Sequence, residues 1–148
     1  MFNVALVGEA ELATALEQVP GSVVEALSKA VTELAIGLRE HVIQDKLNGQ
    51  VLNRVSGNLI ASIKQDSPIV DGEKVSGEVF SDSTVKYAVI HEYGLTVSRV
   101  SSRGKSFTVT YPERSFMRSS LADQRDMIVE RLQAAVVQGI RSPLGAEP

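Results

Sequence analysis

The sequence predicts an α+β fold: a small antiparallel sheet with two hairpins, packed against a long N-terminal helix and a long C-terminal helix. Three observations carry that expectation. Val23, Leu27, Val31, Leu34, Leu38 and Val42 recur at spacings of three and four, one apolar stripe along a helix. Leu121, Ile128, Leu132, Ala135 and Ile140 trace a second helical stripe near the other end, with Asp123, Arg125, Asp126, Glu130 and Arg131 over much of the remaining surface. Between them, short alternating runs are punctuated by Asp71-Gly72 and Arg103-Gly104, residues suited to hairpin turns.

Taken in order, Val4–Val7 reads as a short strand and Glu9–Glu17 as a short helix that Pro20-Gly21 breaks. Ser22 stands three residues before Glu25, the spacing of a capping box at the start of the long helix. That helix runs to about residue 45, roughly 35 Å at 1.5 Å per residue. Asn48-Gly49 ends the helical region, and Gly57 precedes a single turn in which Leu59 and Ile63 share a face. Ile63–Val70 leads into the Asp71-Gly72 turn, and Val75, Gly77, Val79 and Ser81 alternate with polar neighbours as a half-buried return strand does. Val85–Tyr93 reads as a short helix with Tyr87 facing His91 and Gly94 as its left-handed cap. Leu95–Val100 and Ser106–Tyr111 form the second hairpin, with Phe107, Val109 and Tyr111 on one face, and Pro112 stops it. Ser142-Pro143 terminates the last helix. Residues 1–142 are expected to form a single domain, with 143–148 a flexible C-terminal tail.

Composition narrows the function classes. At 43% hydrophobic and 22% charged residues, the chain is an ordinary globular one, not a disordered one. It contains no cysteine, which excludes disulfides and thiolate metal sites and suits a reducing compartment. The opening Met1–Val7 lacks the basic start of a signal peptide, and no apolar run approaches the ~20 residues of a membrane span. Charge is unevenly distributed. Residues 1–45 carry seven acids (Glu9, Glu11, Glu17, Glu25, Glu33, Glu40, Asp45) against Lys29 and Arg39, a balance of −5. Residues 99–118 carry Arg99, Arg103, Lys105, Arg114 and Arg118 against Glu113, a balance of +4. Such asymmetry suits contacts between copies of the chain or with a charged partner.

No motif carries catalysis convincingly. His91-Glu92 opens like a zinc-protease helix, but the second histidine's place is Leu95, beyond the helix-ending Gly94. A metal-dependent hydrolase centred on His91 and Glu92 is therefore the rival reading of another class. The run Ser101–Ser106 contains Gly-Lys-Ser yet lacks the first glycine of a phosphate loop and joins two strands. As a basic hairpin tip it could touch nucleic-acid phosphate, which gives a third reading. Phe116 is expected to plug the seam between helix and sheet. Arg114 needs an acceptor there, and Glu92 is the acid expected to pair with it.

Three motifs in fixed order carry a resemblance. They are Ser56-Gly57-Asn58-Leu59 with Ser62-Ile63, Tyr87-Ala88 with His91-Glu92-Tyr93-Gly94, and Pro112-Glu113-Arg114-Ser115-Phe116-Met117. With the hairpin between them, and the flanking helices, they resemble the tail-completion and head–tail joining proteins of long-tailed bacteriophages over about residues 20–140. Ser115 replaces the second proline usual in that pattern, and Leu95 stands where a threonine or glycine is common. The resemblance implies a non-enzymatic virion protein assembled in the bacterial cytoplasm, without a cofactor, forming a ring at the neck, as a tail-completion or tail-terminator subunit. Its implied partners are further copies of itself, in a closed sixfold ring, the tail tube protein and a head connector or stopper. Genomic DNA would pass through the lumen without specific recognition, and no membrane is involved. Gly57, Leu59, Tyr87, Gly94, Pro112 and Phe116 are the structural positions of these motifs. Arg99, Arg103, Lys105 and Arg118 are the candidate interface cations.

Overall fold

The computed structural model describes residues 2–6, 21–50, 52, 57–72 and 74–141. The expected helix at Glu9–Glu17, the Ser142-Pro143 stop and the tail lie outside these residues, as does Ser56 of the first motif. Within them the fold is α+β. The order is β1 (Phe2–Leu6), α1 (Gly21–His41) continuing into wider helical turns over Val42–Gln50, α2 (Asn58–Ser62), β2 (Ile63–Gln65), β3 (Ile69–Asp71), β4 (Lys74–Ser81), α3 (Tyr87–Tyr93), β5 (Leu95–Val100), β6 (Ser106–Tyr111) and α4 (Phe116–Arg141).

All six positions of the α1 stripe, Val23 to Val42, are buried. The helical run breaks at Gly49, whose φ of 116° suits only glycine, and Leu52 N donates back to the Lys46 carbonyl across it. Ser22 does not make the expected capping box. The helix already begins at Gly21, and the Ser22 hydroxyl donates at 2.9 Å to the Gly139 carbonyl in the last turn of α4. Carbonyls there lack partners within their own helix, so the serine joins the start of one long helix to the end of the other. The two approach so closely that a Cβ on Gly139 would lie 2.5 Å from Val23 Cα. Farther along, Lys46 Nζ and His41 Nε2 lie 2.5 and 3.5 Å from Asp123, and His41 Nδ1 lies 2.5 Å from Asp45. The Lys46 ammonium holds the Asp123 carboxyl below its ordinary range.

β4 is the centre of the main sheet. It pairs antiparallel with β1 from Gly77 to Ser81 on one side. On the other side it pairs with β2 near Val79–Ser81 and with β3 near Lys74–Ser76. One strand was expected from Ile63 to Val70. It is instead two pieces: Asp66 N still donates to the Glu78 carbonyl, but Ser67 and Pro68 leave the ladder, and proline has no N–H to give it. The hairpin turn also lies one residue later than expected. Asp71 pairs with Lys74, so Gly72, at φ 61°, is the first turn residue. Alternation holds on β4: Gly77, Val79 and Ser81 are buried. Gly77 permits a near approach by α1, since a Cβ there would meet Val31 Cγ1 at 2.6 Å.

The core joins Leu38, Val42 and Leu47 of the first helical run to Ile63, Val79, Val85 and Ala88 across the sheet, with Phe116 and Met117 closing it. Phe116 is fully buried, the plug its position predicts. On α4, Ile128 and Ala135 are buried as expected, but Ile140 is exposed and Gly139 takes the inward place beside Val23. Among the described residues no helix is long and apolar enough to cross a membrane.

Candidate functional site

The first motif proves to be a backbone device. Gly57 adopts φ 75°, Ala61 N donates to its carbonyl, and half-buried Leu59 packs on the core. The Ser62 and Ser81 hydroxyls meet at 2.8 Å where β2 joins β4, and Arg39 Nε donates to the Ile63 carbonyl. Asp82 then accepts the Thr84 hydroxyl and amide, contacts that hold its carboxyl below the ordinary range and turn the chain toward α3.

The second and third motifs meet at one junction, the base of the β5–β6 hairpin. Glu92 is central. Its side chain is 0% exposed, and its carboxylate accepts Met117 N at 2.8 Å and Arg118 N at 2.9 Å, both in the first turn of α4. A carboxylate supplied by α3 thus caps the free amides of α4, where the helix dipole also favours negative charge. Arg118 folds over it: Nε donates to Glu92 Oε1 at 3.1 Å, and Nη2 donates to the Glu92 carbonyl and, at 2.6 Å, to Glu113. These carboxylates hold the Arg118 guanidinium above its ordinary range, Glu92 foremost. The same group lies 4.5 Å from the Tyr93 ring centre.

The expected partner of Glu92, Arg114, is not the one it has. Arg114 is exposed, and its backbone amide donates at 2.8 Å to the His91 carbonyl. Arg118, expected as an interface cation, serves the chain's own junction. The Glu92 carboxylate is taken up by two amides and the Arg118 guanidinium. The available signal was the helix start itself, since a buried acid near Phe116 belongs at the amides of Met117 and Arg118.

Gly94 completes the junction. Its φ of 71° is positive as expected, but its ψ of 168° lies outside the left-handed helical region, in territory essentially reserved for glycine. A Cβ there would also lie 2.9 Å from Glu113 N. Tyr87 and His91 meet edge to face at 5.7 Å, as their spacing predicts. Burial, and then the Arg114 charge, depress the His91 pKa below its ordinary 6.5. Ser115 adopts φ 21°, which a proline ring forbids, so the serine at this position matches the turn it occupies.

From this base the hairpin runs out alone. Its strands pair from Leu95↔Tyr111 to Val100↔Ser106, and neither packs extensively on any other element. The tip is built from its own bonds: Gly104 N to the Ser101 carbonyl, Ser101 N to the Lys105 carbonyl, and Gly104 at φ 77°. Opposed residues share a face, so one face carries Leu95, Val97, Arg99, Phe107, Val109 and Tyr111. The other carries hydroxyls, with Thr96 and Thr110 3.3 Å apart, and Val100. Arg99, Arg103 and Lys105 are exposed, as are Phe107 at 48% and Val100 at 69%.

Both Glu92 oxygens are committed to amides, and no three metal-binding side chains gather among the described residues. Comparison with protein-family models, curated proteins and solved structures finds no match to this chain.

Proposed function

We propose that this chain is a structural subunit of a bacteriophage neck, a tail-completion or tail-terminator protein. Copies close into a ring that caps the tail tube and offers a docking face to the head connector. One observation carries the reading. A hairpin with an apolar face and a basic tip packs extensively on no other described element, while its base is fastened by Glu92, Arg118, Glu113 and Gly94. A two-stranded ribbon is marginal by itself, so such an arm is best understood as an assembly device that gains its packing from another molecule.

The non-enzymatic reading is preferred to a hydrolase at His91 and Glu92 because the glutamate is sealed from solvent and occupied by amides. In virions of the encoding phage, proteomics should find the chain, and antibody-fragment labelling with electron microscopy should place it between head and tail. Absence from the particle overturns the proposal.

A further inference from the structure

The outer face of α1 carries a pattern complementary to the hairpin. Ile36, 40% exposed, stands three residues after Glu33 and four before Glu40, so all three share one helix face. Both glutamates are exposed. Among the described residues Glu33 has a loose neighbour, Arg131, at 3.8 Å and itself 64% exposed. This is an aliphatic side chain bracketed by two carboxylates. On the hairpin, Phe107 stands directly opposite Arg99, with Arg103 and Lys105 beyond at the tip. This is an aromatic side chain bracketed by cations. Within one chain α1 and the hairpin share no extensive packing.

We infer that the β5–β6 hairpin of one copy docks on the α1 face of the next, with Phe107 against Ile36 and Arg99, Arg103 and Lys105 facing Glu33 and Glu40. The inference rests on the ring reading and specifies its contact. The occupant is a second copy because the chain itself supplies both halves in matched form, apolar centre and opposite charge. The contact is heterologous, since hairpin meets helix and not hairpin, and only heterologous contacts generate rings of more than two copies. The aromatic and aliphatic pair supplies the dry centre, and the charges at its rim set register and suppress the wrong partner.

The absence of cysteine makes the test direct. Full-length Ile36→Cys and Phe107→Cys chains are mixed at high concentration under mild oxidation, with Ala61→Cys plus Phe107→Cys as the control pair. Sedimentation of the unmodified chain runs alongside. The inference expects the 36–107 bond well in excess of the control. Glu33→Lys with Glu40→Lys in the Ile36→Cys chain should reduce it about tenfold, and Arg99→Glu with Lys105→Glu in the partner should restore it. Self-association without an excess of the 36–107 bond overturns this docking and leaves the ring reading standing. Monomers at every concentration, with no bond, overturn the docking and self-driven closure together. The neck placement is then judged separately by virion labelling.

Discussion

The Glu92 carboxylate accepts the Met117 amide at 2.8 Å inside the core, so a side chain from one helix completes the first turn of another. Twenty-five residues separate the two in sequence, and the whole β5–β6 arm lies between them. Whatever holds that bond also holds the arm's base.

Replacing Glu92 removes a buried acceptor from two amides. Each stranded donor costs about 1–3 kcal/mol, so Glu92→Ala should lower stability by about 3 kcal/mol or more. Glu92→Gln keeps one acceptor oxygen and should lose less. Urea unfolding measures both, and an unchanged midpoint for Glu92→Ala would contradict the cap.

Gly139→Ala sets two effects of opposite sign against each other. Alanine favours a helix interior over glycine by about 1 kcal/mol. The added methyl, however, meets Val23 backbone at 2.5 Å, and forcing a packed seam apart costs about 1–3 kcal/mol. The seam should win, and thermal unfolding should show a net loss. Gly37→Ala, on α1 with open space around it, should show none of that loss.

His91 gives the fold a pH dependence of known sign. Its folded pKa is depressed, so the unfolded chain binds the proton more readily. The stability this contributes is present above the unfolded value near 6.5 and is lost as pH falls through the lower folded value. Arg114→Gln removes one depressing charge and should raise the His91 pKa, read by NMR titration of its ring. A downward shift would contradict the assigned cause.

Deleting Ser101–Lys105 should leave the domain folded, because among the described residues that loop's hydrogen bonds run within itself. Circular dichroism and the unfolding midpoint should change little, while the proposed neck role predicts that incorporation into particles fails. Loss of the folded state would place the arm in the core.

Much of this architecture was legible because its signals are local. The stripe from Val23 to Val42 and the alternation along β4 each state their own burial, and Phe116 follows a strand stop and opens a helix. The partner of Glu92 was harder to read. It depends on where α4 starts in space, and from sequence Arg114 and the amides of Met117 and Arg118 lie within four residues of one another. The outward turn of Ile140 was hidden for a similar reason, since apolar periodicity cannot tell a residue facing Val23 from its neighbour one step around the helix. The break at Ser67-Pro68 was the opposite case, a proline in plain view inside a run read as continuous strand.

That break has a bearing on how the molecule survives before it is used. A continuous outer strand offers an unbroken row of amides and carbonyls to any other strand it meets. Here the β2–β3 side of the sheet is cut into two three-residue pieces with a proline between them. Uncontrolled stacking of sheets along that side therefore finds no template. On the proposed ring, that leaves copies to meet through shaped surfaces and not through this edge of the main sheet.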